Sequence, residues 1–287
     1  MRKGRTHVVG AALFLRESVP VIWSPMGSAT RPGTAREIAA TLSEATIEEL
    51  PALIERYAGD PRSQVSRAVG VATRRLERER SERERVRGMY SLMRELGGEG
   101  IVLGVDEVGR GSVAGPLTVC AVALPDDPIV WGINDSKQLK PETRRSLAAR
   151  VEEVATTVGI CHIPPERIDD WGMARAIREA MAGAIADAGV EPDCVLIDGN
   201  PVHVHPRERT LVKGDARIAC IAAASIVAKV TRDDLMVELD AQYPGYHLAE
   251  SKGYASPEHI AAIRERGLTP IHRATFCGNF LGTASLF

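Results

Sequence analysis

The chain of 287 residues is 44% hydrophobic and 26% charged, enough for a sizeable core and, by length, for about two domains. A net charge of −2 at pH 7 lacks the basic balance usual in nucleic-acid binders without excluding one, and no run approaches the roughly 18 apolar residues of a membrane-spanning helix. Five scattered cysteines (120, 161, 194, 220 and 277), odd in number and without Cys-x-x-Cys spacing, argue against a disulfide framework or a zinc site and read as reduced core residues of a cytoplasmic protein.

At the start of the chain, Arg2, Lys3 and Arg5 precede the apolar run Val8 to Leu15, the outline of a signal peptide. The run is short, Arg16-Glu17 follows it, and no small-residue cleavage site is clear. Residues 1–33 are therefore read as a leader outside the fold, with translation from Met26 as the alternative. Residues 34–97 read as a helical extension. Thr34-Ala-Arg-Glu37 and Thr46-Ile-Glu-Glu49 have the spacing of capping boxes, and Asp60-Pro61 that of an N-cap followed by proline at the first helical position. Ile38, Leu42, Leu50, Leu53, Ile54, Val65 and Val69 supply apolar stripes at helical spacing. Arg74 to Arg87 then holds seven Arg against four Glu, with Glu-to-Arg pairs at 77–80, 82–85 and 84–87. This helix face is either solvated or a nucleic-acid contact. Leu96-Gly-Gly-Glu-Gly100 reads as a linker.

From residue 101 apolar strands alternate with helical stretches. Strands are predicted at 102–105, 117–124 and 194–197, the first two antiparallel because the turn between them comes early. Helices are predicted at about 141–158, 166–188, 218–240 and 256–266. This is an α/β pattern. The strand at 102–105 ends on two adjacent acids, Asp106 and Glu107, followed by Gly109, Arg110, Gly111 and Gly115. Burying carboxylates is costly unless a cation meets them, and glycines let the backbone approach a ligand. An acidic surface turn is the competing reading. The strand at 194–197 ends on Asp198, and Asp215 precedes the helix that follows. Chemistry in layered α/β folds gathers at strand ends and helix N-termini, so the four acids can converge. Four oxygen donors without His or Cys suit Mg2+ or Mn2+, and such sites commonly hold two ions about 4 Å apart for in-line displacement at phosphorus. Two bound divalent ions would change the charge balance from −2 to −2 + 4 = +2.

Several segments resemble ribonuclease HII of the ribonuclease H superfamily. They are Gly-Val-Asp-Glu-Val-Gly-Arg-Gly (104–111), Ala-Gly-Pro (114–116), Asn-Asp-Ser-Lys (134–137), Asp-Gly-Asn (198–200), Lys-Gly-Asp (213–215), Ala-Ala-Ser-Ile-Val-Ala-Lys-Val-Thr-Arg-Asp (223–233) and Lys-Gly-Tyr-Ala-Ser-Pro-Glu-His (252–259), in the family's order. The resemblance implies a ribonuclease H-like mixed sheet flanked by helices over residues 101–287, after the N-terminal extension. It implies an endonuclease that hydrolyses the RNA strand of RNA–DNA hybrids, including single ribonucleotides in DNA, leaving 3′-OH and 5′-phosphate ends. Asp106, Glu107, Asp198 and Asp215 would bind two Mn2+ or Mg2+ ions. Gly109, Arg110 and Gly111 would read the ribose 2′-OH, and Tyr254 would stack on the next nucleotide. The chain departs from the family pattern at Val108, at Ser112-Val113 and at Ala274 to Cys277. Ribonuclease HIII shares the acids but differs in the glycine turn and lacks this Tyr. A binding module that has lost catalysis is disfavoured by the presence of all four acids.

Lys137 and Lys229 are candidate phosphate contacts, against solvated lysines as the alternative, and Ser136 and Ser225 are candidate hydrogen-bond partners of the phosphate backbone. His203 and His205 alternate as a metal clamp would, but such pairs are more often surface residues. Asp233 and Asp234 read as a solvent-facing helix edge. The expected partners are RNA–DNA hybrid and ribonucleotide-containing DNA duplexes, with no membrane, and the expected state is a monomer.

Overall fold

The computed structural model describes residues 33–281; the leader, its signal-like outline and Met26 lie outside the described residues, Gly33 excepted. Two compact units meet inside a single helix, the first ending at Leu76 and the second beginning at Glu77. In the first, α1 (Ala35–Glu44), α2 (Leu50–Tyr57) and the start of α3 (Ser63–Gly97) bury Ile38, Leu42, Leu50, Val65, Ala72 and Leu76 against one another. Thr34 and Glu37 exchange both bonds of a capping box. Thr46 and Glu49 exchange the same bonds, but α2 starts only at Leu50, so this box closes the turn before the helix. Asp60 caps nothing: its carboxylate accepts from the Arg62 N–H and guanidinium, and α3 begins one residue later.

The second unit is built on a five-stranded sheet in the order β3-β2-β1-β4-β5: β1 (Val102–Val108), β2 (Leu117–Ala123), β3 (Thr157–Ile163), β4 (Cys194–Asp198) and β5 (Glu208–Leu211). β1–β2 and β2–β3 are antiparallel, whereas β1–β4 and β4–β5 are parallel. All seven residues of β2 are buried, as expected of a strand with both faces covered. One face packs on the end of α3, α4 (Pro141–Val154) and α7 (Ala219–Gln242). The other packs on α5 (Pro165–Trp171) and α6 (Met173–Asp187). α8 (Leu248–Ser251), α9 (Pro257–Arg266) and α10 (Ala274–Cys277) complete the chain. This is the mixed α/β sheet with N-terminal helices that the sequence pattern and resemblance led us to expect.

α7 explains its own composition. Its first ten residues, Ala219 to Ala228, are all buried, and small side chains let its backbone descend onto the sheet. A Cβ at Gly104 would fall 2.2 Å from the Cys220 carbonyl carbon, so β1 needs glycine there. Two expected helices differ, and two strands, β3 and β5, were not expected. The helix placed at 141–158 stops at Val154, and the chain turns into β3. The helix at 166–188 is two, divided at Gly172, whose φ of 73° no helix interior tolerates. β5 had no signal, being a short polar edge strand.

Candidate active site

β1 is buried from Val102 through Asp106 and runs on past the acids to Val108, so Asp106 and Glu107 lie within the strand rather than just beyond it. Val105 pairs with Ile197 of parallel β4, and the β1–β4 pairing stops there, so the next residues outward, Asp106 and Asp198, stand at neighbouring positions where the two strands part. Alternation along the strands puts them on the faces of Gly104 and Leu196, the side covered by α7. Asp215 lies in a single 3-10 turn, Gly214–Ala216, just ahead of α7. The Gly214 N–H donates to Asp198 Oδ1 at 2.7 Å, which ties that turn to the end of β4.

Burial pushes the Asp106 carboxyl well above its ordinary range, and the charges of Glu107 and Asp198 push it further, with a hydrogen bond from Ser225 in opposition. Glu107 is also raised by burial, with Arg110 opposing at 3.6 Å and Asp198 adding to the rise. Asp215 is raised by burial and then by Asp198 and Asp135, with Lys137 opposing. The four acids thus stand in one another's fields. They are not drawn into a closed shell: among the described residues no three His, Cys, Asp or Glu are grouped tightly enough to hold an ion. Repulsion is a sufficient reason, since like charges at a shared site separate unless a cation stands between them. The donor chemistry nevertheless fits a hard divalent cation. Every donor is oxygen, and burial together with mutual repulsion raises the proton affinity of three of the acids, which Arg110 and Lys137 offset only in part.

The turn after β1 is held by two buried arginines. Gly109 has φ 86°, and a Cβ there would meet Arg232 Nε at 2.2 Å. Arg232 donates to Pro116 O (2.8 Å), Lys252 O (2.7 Å), Ala114 O (3.0 Å) and Ser112 Oγ (2.8 Å). Arg273 donates to Gly115 O through Nε and Nη2 (3.1 and 2.9 Å) and to Arg110 O (3.2 Å). Burial, with the charge of Arg232 adding, lowers the Arg273 guanidinium to about 9. The Val113 and Ala114 N–H groups donate to Gly253 O, so the 109–116 turn and the 252–254 loop form one rigid construction. On its surface lie the exposed Arg110 side chain and the Tyr254 ring, the latter 5.7 Å from Arg232 Cζ.

Behind Tyr254 runs a histidine relay. His272 Nδ1 accepts from the Thr269 N–H at 3.0 Å, so its proton sits on Nε2 and points to His259 Nε2 at 3.2 Å. His259 in turn donates from Nδ1 to Tyr254 O at 2.9 Å. Burial favours the neutral form of both, taking His272 to about 4.

Of the other sequence candidates, Ser225 is buried against Asp106 and lies 3.0 Å from Ser136 Oγ. Lys137 is exposed beside Asp215. Lys229 is half-buried and bonded to Asp233 at 2.6 Å. Asp233 is not solvent-facing as expected: it sits between Lys229 and Arg144, because α4 packs over that side of α7. Asp234 does remain at the surface, paired with Arg145. His203 and His205 line an open hollow with Glu208, but that carboxylate is occupied by the N–H groups of residues 202, 203 and 204. Sequence reasoning overlooked Asp135, Arg232, Arg273, His259 and His272 as individual contributors. Asp135, Arg232 and His259 were quoted inside motifs without a role, His272 and Arg273 lay outside every quoted motif, and an arginine in a helix ordinarily reads as solvated.

The sheet order, the carboxyl-edge acids and the helices on both faces define a ribonuclease H-like α/β protein. Solved structures agree: ribonuclease H2 from Pyrococcus horikoshii OT3 has a TM-score of 0.54 at 27% identity, covering 61% of this chain and 93% of that one. Ribonuclease HII from Archaeoglobus fulgidus, solved in complex with PCNA, has a TM-score of 0.54 at 25% identity, covering 61% and 94%. The family model for ribonuclease HII matches residues 103–279, and the model for the ribonuclease HII N-terminal domain matches residues 34–96. Ribonuclease HII of Geobacillus thermodenitrificans is 42% identical over 85% of this chain and 94% of its own length, and that of Lachnoclostridium phytofermentans 44% identical over 78% and 89%. The chain belongs to the ribonuclease HII family, endoribonucleases of the ribonuclease H type that act on RNA–DNA hybrids.

Proposed function

We propose that this chain hydrolyses the RNA strand of RNA–DNA hybrids and also cuts at single ribonucleotides embedded in duplex DNA, leaving 3′-OH and 5′-phosphate ends. The observation that carries the reading is that Asp106 and Asp198 each follow the last paired residues of two parallel strands, Val105 and Ile197, with the turn of Asp215 hydrogen-bonded to Asp198. Asp106, Glu107, Asp198 and Asp215 are the residues that would hold two divalent ions, Mn2+ or Mg2+. When bound, such ions supply activation of the attacking water and neutralisation of charge at the leaving oxygen.

The rest is performed by the protein. Ser225 orients Asp106 through its hydroxyl. The backbone of Gly109, Arg110 and Gly111 is fixed by Arg232 and Arg273 and offers its polar groups to the 2′-OH, which distinguishes RNA from DNA without any reading of bases. Tyr254 gives the neighbouring nucleotide a surface to stack on. Lys137, beside Asp215, is placed to meet the phosphate. Lys229 is already bonded to Asp233 of its own helix, the carboxylate that Arg144 of α4 also meets, and is better assigned to holding that carboxylate than to the phosphate. On this reading residues 101–287 are the catalytic domain, 34–97 a helical extension, and the protein is a cytoplasmic monomer. The test is an end-labelled DNA duplex with one ribonucleotide, titrated with Mg2+ or Mn2+. A metal-dependent cut 5′ to the ribonucleotide with the stated ends is expected. No cut in either metal, or products ending in a cyclic phosphate, would refute it.

A further inference from the structure

The Tyr254 ring leaves a Cα whose two flanking peptide groups are both pinned, and by different parts of the chain. The peptide before it is held to the turn after β1: Gly253 O accepts from the Val113 N–H at 2.8 Å and from the Ala114 N–H at 3.1 Å. The approach is so close that a Cβ at Gly253 would fall 2.3 Å from Ala114 O. The peptide after it is held by His259. Tyr254 O accepts from His259 Nδ1 at 2.9 Å and from the Ser256 N–H at 2.8 Å, which uses both of its lone pairs. Peptide groups are planar, so two fixed planes meeting at one Cα also fix the direction of its Cα–Cβ bond. That bond is the base from which the ring, 39% exposed, projects.

The second anchor has its own support. A carbonyl can only accept, so His259 Nδ1 carries the proton and Nε2 is left to accept from His272. The Thr269 N–H can only donate, so His272 carries its proton on Nε2. Every proton from Thr269 to Tyr254 O is thereby assigned, and all of them run in one direction. Both imidazoles are buried, and Tyr246 packs on them, its ring centroid 4.9 Å from that of His272 and 6.5 Å from that of His259. The residues on either side of His272 are bonded to the same turn as Gly253. The Gly115 N–H donates to Ile271 O and the Arg273 N–H to Val113 O, each at 2.8 Å. Tyr254 is thus registered against the turn of Gly109 to Gly111 from two sides, once directly and once through the histidines.

Packing alone does not call for this arrangement. An apolar side chain would fill the same space without needing partners, whereas each buried polar group must find one. What the imidazole adds is a directed bond to the residue whose ring stands at the surface. We propose that His259 is a positioning residue for Tyr254. Its Nδ1–H, kept in that tautomer by His272, sets where the ring stands relative to Gly109, Arg110 and Gly111, and so sets how well a single ribonucleotide in DNA is cut relative to a continuous RNA–DNA hybrid. The proposal rests on the reading of Tyr254 as the stacking residue.

Two variants separate positioning from packing. An asparagine amide nitrogen stands near the place of Nδ1, and a glutamine amide nitrogen near that of Nε2. His259→Asn therefore keeps the donor to Tyr254 O and gives up the contact with His272, and His259→Gln does the reverse. The experiment measures kcat/KM on an end-labelled DNA duplex with one ribonucleotide and on a long RNA–DNA hybrid, for wild type, both variants and Tyr254→Ala, with Tm alongside. In His259→Gln the ratio of single-ribonucleotide to hybrid cleavage should fall by roughly threefold to tenfold, at most to its value in Tyr254→Ala, while in His259→Asn it should stay within about twofold of wild type. Each variant breaks one buried bond, so both should lose Tm by similar amounts. Where His259→Gln does not fold, His259→Leu, which also lacks the donor, takes its place with the same fall expected. The same ratio in the Asn variant as in its donor-less counterpart, or a fall in the Asn variant alone, overturns the proposal and leaves His259 a packing residue. If Tyr254→Ala itself keeps the wild-type ratio, the stacking reading has failed and the proposal falls with it.

Discussion

Replacing Asp106 with asparagine removes one charge from a crowded edge while almost preserving shape. Asp106 and Asp198 stand one position past the last paired residues of adjacent parallel strands, which lie about 4.8 Å apart. At an effective dielectric of about 20, two unit charges at that separation repel by about 3 kcal/mol. The amide keeps an oxygen for the Glu107 N–H and for Ser225, but those bonds lose their charge assistance, at a cost of about 1 kcal/mol each. The balance is about 1 kcal/mol in favour of the variant, so in EDTA its Tm should hold or rise by up to about 4 °C. Added Mn2+ or Mg2+ should stabilise wild type by about 2.7 kcal/mol at a hundred times Kd, and the variant distinctly less. Turnover should fall by at least about a hundredfold, the scale of losing one preorganised electrostatic contact. Differential scanning fluorimetry with and without metal, alongside the cleavage assay, reads all three quantities. Near-wild-type turnover would refute the metal assignment, and a Tm drop of many degrees would refute the repulsion argument.

Tyr254→Ala removes a stacking surface worth about 1–3 kcal/mol, so cleavage at a single ribonucleotide should drop by roughly tenfold or more. Cleavage within a long hybrid, which offers many registers, should suffer less. Equal loss on both substrates with a lowered Tm would mark Tyr254 as a packing residue instead. The relay behind it predicts an acid limb of stability. His272 is held to about 4 against an ordinary 6.5, so below pH 6.5 the unfolded chain takes up a proton that the folded one refuses. Stability is then full above pH 6.5 and declines down to about pH 4, by about 2 kcal/mol between pH 7 and pH 5. Urea titrations at the two pH values measure this, and His272→Gln should flatten the difference; an unaltered pH slope in that variant would dismiss the relay as its source.

The parts of the site that could be read in the sequence were those where an apolar run stops abruptly on charge. Val102 to Val105 before Asp106-Glu107, and Cys194 to Ile197 before Asp198, are such breaks, and neither core packing nor ordinary turns produce them readily. The small-residue helix was equally legible, because a stretch such as Ala222-Ala223-Ala224 has little use except to let backbone approach backbone. β3 escaped because Thr157, Gly159 and His162 interrupt its apolar pattern and it follows α4 after two residues. β5 escaped because it is a polar edge. Arg232, Arg273 and Asp233 were illegible for a different reason: their partners lie far away in sequence, in carbonyl groups that carry no side-chain signature or in another helix. Periodicity detects which side chains avoid water, and it is silent about charges buried by distant backbone.

Those two arginines have a consequence for how the turn after β1 can change in sequence. Apart from the Ser112 hydroxyl, every acceptor they use is a main-chain carbonyl. A carbonyl is present whatever side chain stands beside it, so the clamp fixes the path of the backbone while remaining indifferent to most of the residues along it. Val113 contributes no acceptor to either guanidinium, so its side chain is not what holds the turn. The burden of constancy is shifted onto two cations remote in sequence and out of contact with solvent. Outside Gly109 and Gly115, where a Cβ would meet Arg232 and Met236, the shape of the turn is dictated from elsewhere in the chain.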